Sequence, residues 1–427
     1  MIYCKEIKWI EPIEVGYKIS QNYDDDFYLL YSALYDQFKG SKSYIGLFLR
    51  EKKHYNNIAQ LPNFKFQYGN KLALISYESN AENIIASNHK SHIDFCNVII
   101  SDFALNAEFD HDDKKLKIYY DNKKDFKLFL SLIAEKKRDV EQDIRSCNLS
   151  SNFSDQSYID AINDIKKRIG NGDFYQINLT RKFYGKLLSG YGKDNLYHNF
   201  VKLCHISPAN YSAFIAIDKK IILSSSPELF LQASGKDIIS RPIKGTINRK
   251  SDQKKDKINM EYLQNSHKEK AENLMIVDLV RNDLSTICNP NSVKVNKLFS
   301  IDAYKLLYHM SSEISGVLKN CKNYRDVIIK AFPPGSMTGA PKIAAMNKIK
   351  QCEKVSRGIY SGSIGIIGQD MMKLSVVIRT LIIDEKSYEF QVGGAITYDS
   401  VAKKELEEIY HKAQAIANIL NIDLWSG

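Results

Sequence analysis

At 427 residues the chain can form one large domain or two to three smaller ones, and 44% hydrophobic against 26% charged residues excludes wholesale disorder. A formal charge of +10 would suit a nucleic-acid or membrane partner, but the basic residues are scattered among acidic ones; the excess reads as a solvated surface that draws in an anionic substrate. Seven cysteines with no Cys-x-x-Cys pair exclude a disulfide frame or zinc site and point to reduced thiols in a cytoplasmic protein, and there is neither a signal peptide nor an apolar run of membrane-spanning length.

From Met1 to about Glu135, short strand-like runs such as Tyr44 to Leu49 and Leu72 to Tyr77 alternate with polar connections, and nothing there suggests catalysis. The charged and then Ser/Asn-rich stretch from Lys136 to Gln156 reads as a linker. Residues 1–150 are therefore expected to be a structural or regulatory part and residues 151–427 the catalytic part. Ile159, Ile162, Ile165 and Ile169 have helical spacing, which predicts a helix over Tyr158 to Ile169 closed by Gly170 and Gly172. Strands are predicted at Tyr175 to Phe183, Tyr211 to Ile217, Lys220 to Leu223, Glu228 to Ala233, Ile359 to Ile367, Leu374 to Ile383 and Tyr388 to Val392, with Asn248 to Lys257 a mobile polar loop. Strands interspersed with helices in no βαβ rhythm indicate the α+β class.

Arg241-Pro-Ile-Lys-Gly-Thr246 places Lys244 between a residue with fixed φ and a glycine free to turn, so the lysine should sit at a defined bend leaving a strand. A held lysine can act as a nucleophile; most lysines are solvated surface groups. Glu269 with Glu272, and Glu405 with Glu408, are i,i+3 pairs that each project from one helix face. Such pairs are common on solvated faces. The second borders an apolar stripe of Leu406, Ile409, Ala413, Ile416 and Leu420, and the first runs into the apolar stretch Leu274 to Val280. Unpaired carboxylates there would be costly, and two facing pairs call for a divalent cation with all-oxygen ligation, which suits Mg²⁺. Pro333 to Lys342 is a rigid, glycine-broken loop before a helix predicted at Ala340 to Ile349, whose first N–H groups suit an anion, though it lacks Walker spacing. Gly393-Gly394 offers a close backbone approach, and Arg379 in an apolar strand needs either a buried acid or an anionic ligand.

Together these motifs resemble the chorismate-utilising enzymes, most closely their aminodeoxychorismate synthase branch. Gly172 to Leu179, Ser224 to Glu228, Pro242 to Thr246, Glu272 to Asp283 and Pro333 to Lys342 occur in the family's order, densely over Asp155 to Asn421 and weakly before it. The resemblance implies an α+β fold of two packed, largely antiparallel sheets flanked by helices in one large unit. It implies Mg²⁺ held directly by Glu272 and Glu408, with Glu269 and Glu405 acting mostly through water. It implies substrate contacts from Gln176, Thr246, His309, Thr338, Tyr360, Arg379, Gly393, Gly394 and Lys412. Water-adding members carry a lysine base where this chain has Gln176, so ammonia is the implied nucleophile. Anthranilate synthases usually carry a small residue at position 244, so Lys244 is the implied covalent catalyst and Glu228 the acid. Gly393-Gly394-Ala395-Ile396-Thr397 departs from the family's more frequent Gly-Ala-Gly-Ile-Val.

The expected reaction converts chorismate and ammonia to 4-amino-4-deoxychorismate, toward 4-aminobenzoate and folate. With no Gly-x-Cys-x-Gly elbow in the chain, ammonia is expected from a separate glutaminase subunit. The end at Gly427 leaves no room for a fused pyridoxal-phosphate lyase, so pyruvate release is expected of another enzyme. No nucleic-acid or membrane partner is expected. Anthranilate synthase component I is the alternative, and a non-catalytic, basic nucleic-acid or scaffold-binding protein the remote one.

Overall fold

The strand Tyr211–Ile217 shows how the layers arise. Ala213, Ile215 and Ile217 enter one apolar cluster and Phe214 and Ala216 another, so successive side chains feed two cores and both faces are covered. Lys71–Ile75 divides in the same way, Leu72 and Leu74 from Ala73 and Ile75. A one-residue slip in either strand would exchange the two sets, which pins the register. These strands belong to a computed structural model that describes residues 2–35, 40–66, 69–80, 91–136, 138, 142–304, 307–319 and 324–424. The described residues form twenty strands, joined by antiparallel pairings, and nine α-helices.

The pairings make two layers that share the long strand Val98–Asp110. One layer runs from it through Lys42–Tyr55, Phe27–Tyr31, Tyr211–Ile217, Lys220–Ser226, Thr380–Asp384 and Ser387–Ile396 to Gln176–Leu187. The other runs through Lys71–Ile75, Ser363–Ile367, Met371–Val376, Leu229–Ser234 and Asp237–Arg241 to Leu307–Val317. Tyr28, Ile215 and Ile222 of the first layer meet Leu74 and Ile364 of the second in a shared core. Helices Asp155–Gly170, Lys193–Ile206 and Ala402–Leu420 cover the outer face of the first layer, and His267–Ile287 and Arg325–Ala331 that of the second. This is the expected α+β arrangement. Residues 1–150 and 151–427 are hydrogen-bonded to each other through the pairs Phe27–Tyr31 with Tyr211–Ile217 and Lys71–Ile75 with Ser363–Ile367.

Several local expectations are corrected. The Ser/Asn-rich part of the supposed linker is the strand Ser146–Ser151, paired with Gln176–Leu187; ladder bonds are made by backbone, so an edge strand needs no apolar pattern. Residues 137 and 139–141 of that stretch lie outside the described residues. The second half of the polar segment expected as a loop over Asn248 to Lys257 belongs to a helix, Gln253–Asn265, started by Asp252, which accepts from Lys255 N. Buried Asp256 ties it down, accepting from Arg249 Nη2 at 2.9 Å, Lys250 N at 2.8 Å and Tyr308 Oη at 2.8 Å; Arg249 first, then the Lys250 amide, hold its carboxyl down at about 2. The run Leu374 to Ile383 is two strands, Met371–Val376 and Thr380–Asp384, in different layers. The helix predicted from Ala340 begins at Lys342, because Gly339–Ala340 pairs with Ile177 and Gln176. The described cysteines are free thiols, and Cys321 lies outside the described residues. No helix of the described residues is long and apolar enough to cross a membrane.

Candidate active site

Two very short connections cross from one layer to the other at the same place. Pro227 and Glu228 join Lys220–Ser226 to Leu229–Ser234, and residues 377–379 join Met371–Val376 to Thr380–Asp384. They run side by side: Val376 N donates to Glu228 O at 3.1 Å and Ser225 N to Arg379 O at 3.1 Å. A cavity of about 690 Å³ opens at this crossing, lined by both Glu228 and Arg379. Arg379 has φ +51°, a left-handed conformation that costs a non-glycine residue about 1–3 kcal/mol, so the surrounding fold holds it there. Its Nη1 lies 3.4 Å from Ser207 Oγ, and it makes no ion pair among the described residues. Tyr304 and the buried Glu228 are the acidic groups whose charge acts on its guanidinium. Glu228 is 5% exposed. Burial pushes its carboxyl up to about 7, only partly offset by Ser336, Lys244, the Ile243 backbone and Arg379. A carboxyl poised at neutral pH beside an unpaired guanidinium can give a proton to a leaving oxygen.

Lys244 also lines this cavity, but not from a bend at the end of a strand. It lies inside Ile243–Asn248, at a bulge: Ile243 faces Ser311 and Thr246 faces His309, so the Lys244–Gly245 segment holds one residue more than the partner strand. Gly245 has φ +86°, and a Cβ there would come within 3.0 Å of Glu269 Oε2 and of Leu263 Cδ1. Gly245→Ala is expected to destabilise the protein by about 1–3 kcal/mol and to displace Lys244, read as a lower Tm together with a lower turnover. Arg241 points its charge elsewhere, at Asp302, 2.6 Å away. Thr246 Oγ1 and His309 Nδ1 are 2.7 Å apart, and burial, then Arg379, lowers the His309 pKa to about 3, so this ring is neutral at physiological pH.

The two glutamate pairs reach the cavity from helices on opposite layers. Ser266 caps His267–Ile287 by accepting from Glu269 N at 3.3 Å, and Ser266-x-x-Glu269 has the capping-box spacing, so Glu269 stands in the first turn of that helix. Glu272 is buried one turn on, and its Oε1 has no hydrogen-bond partner among the described residues. Burial raises both carboxyls, that of Glu272 to about 7. Ala402–Leu420 supplies Glu405 and Glu408; Lys412 holds the Glu408 carboxyl below the usual range from 2.6 Å. Lys268 Nζ stands between the helices, 3.8 Å from Glu272 Oε1 and 3.4 Å from Glu405 Oε1. Among the described residues no three acidic or histidine side chains converge closely enough to ligate a cation as they stand. Even so, the donor set is all carboxylate oxygen, and the orphaned Glu272 Oε1 and the interposed Lys268 ammonium mark a place that requires positive charge. Four cations, Lys244, Lys268, Arg379 and Lys412, face five carboxyl groups across the cavity, two of which, Glu228 and Glu272, are poised near 7.

Of the other predicted contacts, Thr246, His309, Tyr360, Gly393 and Lys412 line the cavity. Lys412 Nζ donates to Gly393 O at 2.9 Å as well as meeting Glu408. Gln176, Thr338 and Gly394 do not line it. Gln176 is 1% exposed on the face of its strand that also carries Asn178, and neither polar atom of its amide has a partner among the described residues. Thr338 is turned into its own loop, Oγ1 donating to Gly335 O at 3.0 Å while its carbonyl accepts from Asn178 N at 2.8 Å. A Cβ on Gly394 would meet Glu405 Oε2 at 3.4 Å and Glu408 Oε1 at 3.9 Å, so that residue backs the carboxylates. The helix start after the Pro333 to Lys342 loop is not an anion site on this cavity; Lys342 Nζ is taken by Asp283 at 2.8 Å and the carbonyls of Ala331 and Pro333, and the loop reaches the cavity through Ser336 and Met337 instead.

A chorismate binding enzyme family model matches residues 25–418, which span both layers, the two crossings and all four glutamates. The chain belongs to the chorismate-binding enzyme family. It is 32% identical over 330 residues to anthranilate synthase component 1 of Aquifex aeolicus (76% of this chain, 64% of the relative) and 37% identical over 271 residues to aminodeoxychorismate synthase component 1 of Klebsiella aerogenes (63% and 59%). The chain thus matches less than two thirds of the length of these relatives. The fold is similar to that of the menaquinone-specific isochorismate synthase of Escherichia coli, with a TM-score of 0.78 at 15% identity over 98% of this chain and 95% of that one. It is also similar to anthranilate synthase component I of Streptococcus pneumoniae, with a TM-score of 0.76 at 22% identity over 88% and 92%.

In this member of the family, Asn178, Gln391, Lys268 and Ser336 line the cavity without having been singled out from sequence. A signal existed for the first: Gln176-Ile-Asn-Leu-Thr180 alternates amide or hydroxyl with apolar residues, the pattern of a strand with one polar face. Lys268 precedes Glu272 by one helical turn. Nothing local marked Ser336.

Proposed function

We propose that this chain aminates chorismate at ring carbon 4, as component I of an aminodeoxychorismate synthase, taking ammonia from a separate glutaminase subunit. The observation that carries the reading is Lys244, fixed at a bulge in a cavity it shares with Glu228, a carboxyl poised near 7. The neutral Lys244 amine adds to carbon 2, the ring double bond shifts, and the 4-hydroxyl leaves as water with the Glu228 proton. Ammonia then forms the carbon 4–nitrogen bond, the Lys244–carbon 2 bond breaks to restore the free amine, and the new ammonium group returns one proton to Glu228. Arg379 and Lys412 hold substrate carboxylates, Tyr360 and neutral His309 flank the ring, and Gln176 in place of a lysine base leaves water unactivated.

The residues present fit Mg²⁺, with Glu272 and Glu408 as direct ligands and Glu269 and Glu405 acting through water. The ion would supply positive charge beside the four glutamates that a dicarboxylate has to approach. Mg²⁺ at millimolar concentration is expected to raise the Tm of the wild type by binding linkage. Glu272→Gln should remove most of that rise, and an equal rise in both proteins would rule Glu272 out as a ligand.

Incubation with chorismate, Mg²⁺ and ammonium salts, followed by chromatography, decides the reaction: 4-amino-4-deoxychorismate is expected. Formation of anthranilate instead would establish the second reading, anthranilate synthase component I, which relatives of similar identity, 36% in Saccharolobus solfataricus against 37% in Klebsiella aerogenes, keep in play. Repeating the incubation with glutamine and a glutaminase in place of ammonium tests the partner.

A further inference from the structure

The cavity floor is the inner face of the strand pair Gln176–Leu187 and Ser387–Ile396. Ile177, Leu179, Phe390 and Ile396 point from this pair into the helix-covered core. Asn178 and Gln391 point the other way and line the cavity. Gln391 is 1% exposed, and its Oε1 has no hydrogen-bond partner among the described residues. Leaving a buried carbonyl oxygen unpaired is unfavourable, and binding a donor there would relieve it.

A chain of hydrogen bonds fixes which end of the Gln391 amide is left over. Arg357, fully buried, donates to both oxygens of Glu353, from Nε at 2.9 Å and Nη2 at 2.6 Å, so both oxygens act as acceptors. Glu353 Oε1 takes the Thr180 hydroxyl proton at 2.8 Å and the Thr180 amide at 2.9 Å. With its single proton committed, Thr180 Oγ1 can only accept, and it accepts from Gln391 Nε2 at 2.7 Å. The NH₂ of Gln391 is therefore turned to Thr180, and the carbonyl oxygen is the atom presented without a partner. A flipped amide would set two acceptors against each other.

A fixed neutral acceptor is the wrong group for a substrate carboxylate, which the cationic side chains of the cavity already suit, and the right group for an N–H donor. We propose that Gln391 Oε1 positions the ammonia nucleophile, an inference that rests on the amination reading above. One N–H of ammonia donates to Gln391 Oε1, and the nitrogen lone pair stays free for the ring carbon. Gln391 is a positioning residue, oriented by Arg357, Glu353 and Thr180, and it holds the nucleophile rather than the dicarboxylate.

Gln391→Met keeps the side-chain length and removes the acceptor. With ammonium salts as the nitrogen source, it is expected to raise the KM for ammonium about tenfold or more, the factor that about 1.4 kcal/mol of lost hydrogen bonding gives, and to leave the KM for chorismate within about twofold. Thr180→Val, which frees the Gln391 amide to turn, should move the ammonium KM in the same direction by a smaller factor; it supplies the readout should Gln391→Met fail to fold. An unchanged ammonium KM in the folded variants, or equal rises in both KM values, overturns the inference and leaves the amination reading standing. A wild-type protein that forms no aminated product from chorismate and ammonium overturns both.

Discussion

Lys244→Ala is expected to lower ammonia-dependent turnover of chorismate by roughly 10³-fold or more, about 4 kcal/mol of barrier at 1.36 kcal/mol per tenfold. The covalent route exists to split one displacement at carbon 4 into two easier ones, and it requires an amine held in place. The fold meets that requirement with backbone: the bulge sets Lys244 off the regular ladder, and Gly245 at φ +86° leaves no room for a Cβ between Glu269 and Leu263. Mass spectrometry of the wild type incubated with chorismate and Mg²⁺ but without ammonia should show an adduct that the variant lacks. Full ammonia-dependent turnover by the variant would sink the covalent role, and turnover reduced without loss of an adduct would reduce Lys244 to a charge that binds substrate.

Glu228→Gln is expected to show opposite effects on activity and stability. Activity should fall about 10²–10⁴-fold, since the amide cannot deliver a proton to the departing hydroxyl. The wild type needs Glu228 protonated and Lys244 neutral together, so its activity should rise with pH up to about 7 and level off above it, where loss of the Glu228 proton offsets the gain in neutral amine. For stability the sign is reversed from that of a salt-bridged carboxylate. Burial raises the folded pKa from 4.5 to about 7, so the folded state holds its proton more tightly than the unfolded chain does. Below pH 4.5 both states are protonated and Glu228 is neutral in its effect. Between 4.5 and about 7 the destabilisation grows, and above about 7 it is fully present, on the order of 3 kcal/mol at 1.36 kcal/mol per unit. Gln never ionises, so the variant should melt higher than the wild type at pH 8 and close to it at pH 4. A Tm difference that does not change with pH would show that Glu228 is not held protonated in the fold.

The parts of this site legible from sequence are those whose chemistry depends on residue type in a short window. Pro242 to Thr246 gave the lysine and its glycine; the two Glu-x-x-Glu spacings gave the carboxylate faces; Tyr211–Ile217 has the bounds its apolar run predicts. What escaped depends on residues far apart in the chain. The break at Arg379 is invisible because Leu374 to Ile383 is apolar on both sides of it, as expected when two strands in different layers are each buried on both faces. Ser146–Ser151 looked like a linker since its partner, Gln176–Leu187, supplies the order its own side chains do not. The helix after Lys244 was hidden by its polarity, and it is Asp256 with Arg249 and Tyr308 that holds it. The floor acceptor at Gln391 depends on Thr180, Glu353 and Arg357, three residues brought together from two separate segments.

The strand Lys71–Ile75 lies between Val98–Asp110 and Ser363–Ile367, so one of its two ladders spans almost three hundred residues of chain. Loop closure of that size is entropically expensive before the contacts it allows can form, and topologies rich in such pairings fold slowly. On the ribosome the second layer cannot close until Ser363–Ile367 has emerged, so for most of synthesis the apolar Leu72 and Leu74 wait without their final neighbours. At about 5–20 residues per second that interval lasts on the order of tens of seconds, during which one edge of Lys71–Ile75 stays open to pairing with another chain.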